Sequence, residues 1–260
     1  MPVRTTQGDA ASVLSSYYEA IDGHLRALRD TQADAIDRAA ALIAKHAADD
    51  RLVYIYGPGG HSNLASQEVF FRAGGLVNIS AILDAGTLLS NGALRSMHVE
   101  RSHGYGRLVI EDNQLGNGDL LVLVNAYGIN STVVDAAIAA RERGVTVIGV
   151  SSRVHAESTP ADHPARHPSG RNLHEVVDLH VDTQVPVGDA VLLVDDVANP
   201  VAAISTFANA YVLQALMATA IAKISAAGVV PSVWTSANAS GGDSRNAQHV
   251  ERFKHRVRWL

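Results

Sequence analysis

The sequence predicts an α/β fold organised around a parallel β-sheet. Residues 118–152 carry the clearest pattern: an apolar run, a turn, an amphipathic segment ended by Gly144 and a second apolar run. Continuous apolar strands on either side of an amphipathic helix are typical of a parallel βαβ unit that is buried on both faces. Residues 52–73 show the same strand-to-helix order through a glycine-rich loop. These two passages place the chain in the α/β class.

The elements before residue 118 follow from apolar residues repeating every three or four positions in helices and from continuous apolar runs in buried strands. They are two helical segments over 10–48 that meet near Thr31, a strand over 52–56, a helix over 63–73, a strand over 77–83, and short helices and loops over 84–118. Ser62 is the expected N-cap of the helix over 63–73, and Gly74 and Gly75 are its expected stop.

The elements after residue 152 are less regular. They are a polar stretch over 153–171, a strand over 176–183, a turn-rich link over 185–192, a long helix over 200–227, and an extension over 228–260 that ends in a basic helix. No repeat or linker divides the chain, so we predict one domain over 1–260, with a core of roughly 30–225, N-terminal helices over 10–48 and a C-terminal extension over 228–260. The helix over 200–227 is apolar on most faces, which predicts a homodimer or homotetramer.

Composition excludes several classes of function. The 260 residues are 47% hydrophobic and carry a net charge of -5, with no basic stripe, so we expect no nucleic acid partner. The chain contains no cysteine, which suits a reducing cytoplasm. No apolar run reaches about 18 residues, and the N-terminus has no signal-like apolar region, so we expect a soluble cytoplasmic protein without a membrane span.

The loop with Gly57, Gly59 and Gly60 is the first candidate binding element. A strand that passes through glycines into a helix N-terminus presents free backbone N–H groups and the positive end of a helix dipole, which together can hold an anion. The alternative is a tight turn that binds nothing.

Several motifs together resemble the SIS (sugar isomerase) domain over roughly residues 30–225. The motifs are the "GPGGHSN" loop, the strand ending in "NAYGIN" and the strand ending in "VSS". The segments "EVFFRAGG" at 68–75, "HPSG" at 167–170, "VPVGDAV" at 185–191 and "SANASGGD" at 236–243 resemble a little-characterised bacterial branch of that family, similar to phosphoheptose isomerases. The resemblance implies a three-layer, flavodoxin-like, doubly wound parallel sheet that binds a small-molecule sugar phosphate and uses no cofactor.

The resemblance also implies a set of substrate-binding residues in three loops. They are Gly59, Gly60, Ser62 and Asn63 in the first loop, Asn125, Tyr127, Gly128, Asn130 and Ser131 in the second, and Ser151 and Ser152 in the third. Typical members of the family hold the phosphate with two serines at the positions of Asn125 and Tyr127. Amide and phenol groups still donate hydrogen bonds, so we expect an anionic or highly hydroxylated sugar, with a phosphorylated sugar favoured.

The expected reaction is aldose–ketose isomerisation through an enediol. Related isomerases use a glutamate on the helix after the first loop as the base, which implies Glu68, with His167 or His61 as its partner. A carboxylate and a neutral imidazole can move the protons that this reaction requires. On spacing alone, Glu68 is equally well a solvated helix charge, and His167 a structural turn residue.

Two alternative functions stay open from the sequence. The same carboxylate and cradle suit a lyase or etherase acting on an amino-sugar acid, and the fold also suits a non-catalytic sugar-phosphate sensor. Glu100 lies in a segment that could cover the carboxyl edge of the sheet. The spacing of His155, His163, His167 and His174 suggests zinc, but the chain has no cysteine and loop histidines are usually solvated, so we predict no metal.

Overall fold

The computed structural model describes residues 2–5 and 10–260. In this part of the chain, five parallel strands form the main sheet, in the order β3-β2-β4-β5-β6. The strands are β2 (Val53–Tyr56), β3 (Ile79–Ile82), β4 (Leu120–Val124), β5 (Thr146–Ser151) and β6 (Leu179–Asp182). The predicted α/β class and doubly wound parallel sheet are confirmed.

Helices cover both faces of this sheet. The helices are α1 (Ala10–Ala48), α2 (Ser62–Glu68), α3 (Ala93–Glu100), α4 (Tyr105–Asp112), α5 (Ser131–Glu142), α6 (Arg153–Ser158), α7 (Leu173–Val176), α8 (Ser205–Ala226) and α9 (Gly242–Phe253). One hydrophobic core joins the sheet to α1, α2 and α8. A second core joins the opposite face to α4, α5 and α7. Strands β2 to β5 are largely buried on both faces, which explains their mainly apolar sequences, whereas the edge strand β6 is only partly buried.

The N-terminal region forms one continuous helix rather than the two predicted segments. Thr31, at the predicted junction, donates its hydroxyl to the carbonyl of Ala27 at 2.7 Å, so the helix passes through it without a break. Gln184 donates to the same hydroxyl at 2.6 Å, and Leu28 beside it is fully buried. Helix α1 is thus continuous over 39 residues, and it packs along α8.

Helix α2 starts and ends differently from the prediction. His61 occupies the N-cap position and Ser62 is already helical, because Asn63 donates its N–H to Gly59 and Leu64 donates to His61. The helix ends at Glu68 rather than residue 73. Phe71 then adopts a positive φ of 49°, and the following segment pairs with residues 232–234. That pairing joins segments about 160 residues apart, so local periodicity could not show it.

A small second sheet contains β1 (Val3–Thr5), β7 (Ala190–Val194) and β8 (Val201–Ala203). Strand β7 lies where we predicted a turn-rich link, and β8 lies at the predicted start of the long helix. Asp189 accepts the backbone N–H groups of Ile204 and Ser205 and the Ser205 hydroxyl, so α8 begins at Ser205. The predicted strand over 176–183 begins only at Leu179, since Asn172 and Glu175 form a capping box that makes residues 173–176 helical.

Helix α8 is long and apolar enough, by length and composition alone, to cross a membrane. It lies against α1 and α2 and buries residues such as Val212, Leu216 and Ala220, which is typical of a core helix. Its outer face leaves Phe207 46% exposed beside the ring of Tyr17.

We still predict that the chain forms an oligomer, and the exposed Phe207 lies on the helix face that we expect to form the contact. We expect light scattering at micromolar concentration to give a dimer or tetramer mass, because an apolar helix face is stabilised by a second copy. A monomer mass would contradict this expectation.

Candidate functional site

The loops after β2 and β4 meet where the strand order reverses. Strand β3 lies on one side of β2, and β4 lies on the other, so the chain leaves the two central strands in opposite directions. In a doubly wound sheet, the crevice at this switch point is where ligands bind. Residues 57–61 and 125–130 form its two sides.

Asn125 joins the two loops. Its Nδ2 donates to the carbonyl of Pro58 at 3.0 Å, and its Oδ1 accepts the N–H groups of Gly128 at 2.8 Å and Tyr127 at 3.2 Å. The residue is 3% exposed. All of these hydrogen bonds are to backbone groups of the two loops. Asn125, which was predicted to contact the ligand, therefore holds the two loops together.

We expect Asn125→Ala to lower the free energy of unfolding by about 2 to 3 kcal/mol, because it leaves buried N–H groups without an acceptor. Urea unfolding measures this loss. The control is Asn91→Ala, which removes a single hydrogen bond from an exposed asparagine and should cost under about 1 kcal/mol. If both variants lose the same free energy of unfolding, the hydrogen bonds of Asn125 between the two loops do not stabilise the fold.

The glycines of the first loop are required by contacts within the chain. A Cβ on Gly57 would lie 2.2 Å from the carbonyl oxygen of Ser62, and a Cβ on Gly60 would lie 2.4 Å from the Leu89 side chain. Gly59 has a φ of 131°, which side chains rarely adopt. The glycine pattern alone therefore does not require a ligand.

Glu100, at the end of α3, brings its carboxylate to this loop. Its Oε1 accepts the N–H of Gly60 at 3.3 Å and the hydroxyl of Ser96 at 3.4 Å. Burial raises the pKa of Glu100, while the hydrogen bonds from Gly60 and Ser96 oppose that rise. Ser96 is itself fixed by donating to the carbonyl of Thr87 at 2.8 Å, so the position of the carboxylate is well determined.

A cavity of about 450 Å³ opens beside Glu100. Its polar lining residues include Glu100, Arg101, Tyr127, Asn130, His155 and His163. The rings of Tyr127 and His155 stack with centroids 3.6 Å apart and planes 10° apart. Burial raises the pKa of Tyr127 and lowers that of His155, so this wall is neutral. The volume is in the range of small-molecule sites.

Of the predicted binding residues, the structure places Tyr127 and Asn130 in the cavity wall and Gly60 against Glu100. Asn130 is the N-cap residue of α5, whose first N–H groups have no partner within the helix, and Ser131 follows it. Gly128 has a φ of 68° and packs over Ser151.

The other predicted binding residues lie deeper. Ser62 is buried in α2, and Asn63 accepts a hydrogen bond from Gln67 at 2.7 Å. Ser151 contacts His180 at 3.0 Å, and Ser152 donates to the carbonyl of Val185 at 2.7 Å. Both of these serines are fully buried. Their contacts are with the protein interior, where they stabilise the third loop.

The structure places the predicted catalytic residues Glu68 and His167 on different faces of the sheet. Glu68 lies against α8, where its Oε1 accepts from Gln214 at 3.1 Å and pairs with Arg72 at 3.3 Å. His167 lies against α5 on the opposite face of the sheet, and its Nε2 is 3.0 Å from Asp135. His61 is exposed at the start of α2. No pattern in the sequence pointed to Asp135. Glu100 was noted only as a residue of the segment that could cover the carboxyl edge of the sheet.

His180, beneath Ser151, predicts a pH dependence of stability. Burial, with smaller contributions from His174 and Arg153, lowers the pKa of His180 from 6.5 to about 3. Between pH 6.5 and pH 3, His180 is protonated in the unfolded chain but not in the folded chain. The free energy of unfolding that is present above pH 6.5 is therefore lost as the pH falls toward 3. At about pH 5 the loss should be about 2 kcal/mol relative to pH 7.

The measurement is urea unfolding of wild type and His180→Gln at both pH values. We expect the variant to lose about 2 kcal/mol less than wild type between them. Equal losses would show that His180 is protonated in the folded protein.

Comparisons with known proteins agree with this architecture. The family model of the SIS domain matches residues 16–152. A UPF0309 protein of Geobacillus thermodenitrificans is 33% identical over 94% of this chain and 96% of its own length. Another, from Caldanaerobacter subterraneus, is 34% identical over 95% of this chain and 100% of its own length.

Solved structures show the same fold. A phosphoheptose isomerase from Neisseria gonorrhoeae has a TM-score of 0.54 at 17% identity and covers 82% of this chain and 100% of its own. One from Francisella tularensis has a TM-score of 0.51 at 15% identity and covers 82% of this chain and 98% of its own. The resemblance stated from the sequence motifs is therefore confirmed. The chain belongs to the SIS domain family and to the bacterial UPF0309 proteins.

Proposed function

We propose that the chain binds a phosphorylated or otherwise acidic sugar in the cavity beside Glu100 and isomerises it between aldose and ketose. The observation that carries this proposal is the position of the Glu100 carboxylate, which lies at the Gly59–Gly60 loop and also lines the cavity that Tyr127 and Asn130 border. The SIS relatives support it through their fold, since solved structures with that fold include phosphoheptose isomerases.

Glu100 is the base in this proposal. It removes a proton from the carbon next to the sugar carbonyl, which leaves an enediol, and returns the proton to the neighbouring carbon. Its raised pKa brings the carboxylate closer to the pH at which a base both accepts and releases a proton readily. Oε1 accepts the hydrogen bonds from Gly60 and Ser96, and in this proposal Oε2 is the oxygen that takes up the proton.

His163 is the matching proton donor. Its Nδ1 accepts the N–H of Ala165 at 3.2 Å, which leaves the proton of the neutral imidazole on Nε2. A neutral imidazole N–H can polarise a carbonyl in this type of reaction. His163 lines the same cavity as Glu100, whereas His61 and His167 do not.

The acidic group of the sugar is bound by positive potential at the edge of the cavity. Arg101 lines the cavity and is exposed to solvent. The N-terminus of α5, which begins after Asn130, adds the positive end of a helix dipole, which favours an anion.

The test is a screen in deuterated water with pairs of sugars that differ only in a phosphate group. Isomerisation predicts deuterium at the carbon next to the carbonyl, together with the interconverted sugar, and the phosphorylated member of the pair should react faster. An amino-sugar acid that loses its ether substituent would instead indicate the lyase. Binding detected by calorimetry without any deuterium uptake would indicate a sensor and overturn the isomerase.

A further inference from the structure

Outside the cavity, the structure gathers two histidines and an aspartate from three separate segments. His103 precedes α4, Asp135 lies in α5, and His167 lies in the segment before α7. One ligand atom from each lies within 4.8 Å of the other two. None of the three lines the cavity beside Glu100.

We infer that His103, Asp135 and His167 form a binding site for a divalent transition metal ion of the kind that zinc represents. Two imidazoles and one carboxylate are a donor set that zinc uses in proteins, with a fourth position left for water. This inference replaces the sequence-based expectation of no metal and does not depend on the proposed isomerase.

The distances suit such an ion. Asp135 Oδ1 lies 2.9 Å from His103 Nδ1 and 3.0 Å from His167 Nε2. Ligands about 2.0 to 2.2 Å from a tetrahedral zinc ion lie about 3.3 Å from one another. The two imidazole rings are 4.9 Å apart at an angle of 80°, so both can direct a nitrogen at the same point. The two distances from Asp135 are within a few tenths of an ångström of that spacing, and the two imidazole nitrogens lie within 4.8 Å of each other.

Burial and charge favour a cation here. The side chains of Asp135 and His167 are 7% and 5% exposed, and the ion-pair partners of Asp135 within the described residues are His103 and His167. A buried carboxylate is stabilised when it is paired or when it coordinates a metal. The His103 side chain is 60% exposed, which gives an ion a path from solvent and leaves room for a bound water.

Surrounding hydrogen bonds hold two of the ligands in place. Gly104 donates its N–H to Asp135 Oδ2 at 2.5 Å, which leaves Oδ1 for the ion. His167 Nδ1 accepts the N–H of Ser169 at 3.1 Å and lies 2.7 Å from Ser169 Oγ, which can accept the Nδ1 proton once Nε2 binds the ion. Contacts of this kind orient metal ligands in known sites. A bound ion would join α5 to the segments that carry Arg101 and His163.

The experiment is calorimetric titration of zinc chloride into the full-length, tag-free chain after treatment with a chelator. We expect one zinc ion per chain, and a loss of affinity of at least about tenfold in Asp135→Asn and in His103→Ala. His103→Ala is the decisive variant, because an exposed side chain can be removed without opening the core. Zinc should also raise the melting temperature of wild type but not that of His103→Ala.

The matched control is His98→Ala, which removes another exposed histidine from α3 and should bind zinc as wild type does. The inference is overturned if wild type shows no saturable zinc binding. It is equally overturned if His103→Ala binds zinc with unchanged affinity, which would show that other histidines of the chain hold the ion.

Discussion

Glu100→Gln is expected to slow the uptake of solvent deuterium by the sugar about a hundredfold to ten-thousandfold, the usual cost of losing a general base. The amide keeps the size of the carboxylate, and its oxygen can still accept the N–H of Gly60, but it cannot take up a proton at neutral pH. Sugar binding should therefore change little. Single-turnover deuterium uptake at saturating sugar measures the first effect, and calorimetry measures the second.

Glu68→Gln is the matched control, since it makes the same chemical change outside the cavity. Glu68 is held by Gln214 and Arg72 against α8, so we expect deuterium uptake to stay within about threefold of wild type. If Glu68→Gln instead abolishes uptake while Glu100→Gln leaves it intact, the base is the residue that the family resemblance implied, and the role proposed for Glu100 is wrong.

Gly106→Ala is expected to lower the free energy of unfolding by about 3 kcal/mol, at the upper end of the usual range for overpacking. A Cβ on Gly106 would lie 2.0 Å from the carbonyl oxygen of Thr132 and 2.7 Å from the backbone nitrogen of Ala136. Both are backbone atoms of α5, so neither can rotate away. Helix α4 must move outward, which opens the buried contacts of Ile110. Urea unfolding measures the loss.

Gly23→Ala provides a control with the opposite sign. Gly23 lies inside α1, and a Cβ there would have no neighbour within 4 Å. Alanine in a helix interior is favoured over glycine by about 0.5 to 1 kcal/mol, so this variant should be more stable than wild type. If Gly106→Ala is also as stable as wild type or more so, the close approach of α4 to α5 is incorrect.

The central βαβ unit shows how far local patterns reach. The passage over residues 118–152 predicted a strand, a helix ended by Gly144 and a second strand, and the structure has β4, α5 and β5 in that order. Gly144 has a φ of 79°, the left-handed conformation expected just after a helix. Each of these features depends on residues close together in the chain, so the sequence reveals them.

The elements that the sequence missed depend on distant partners. Strand β1 pairs with β7 across 189 residues, and the segment after α2, whose first residues were predicted to be helical, pairs at residues 74–77 with residues 232–234. Short strands of this kind carry little intrinsic signal, because their stability comes from the neighbouring strand.

Within the candidate site, the sequence determined the loops, and the tertiary structure decided which side chains line the cavity. Loops at the carboxyl ends of parallel strands share one edge of the sheet, so Gly60, Tyr127 and Asn130 could be assigned to that edge from the order of strands and helices alone. Packing positions the two candidate carboxylates: Glu68 contacts Gln214 of α8, while α3 carries Glu100 to the glycine loop. The cluster of His103, Asp135 and His167 likewise exists only after α4 and the segment before α7 pack on α5, because residues this far apart leave no shared period in the sequence.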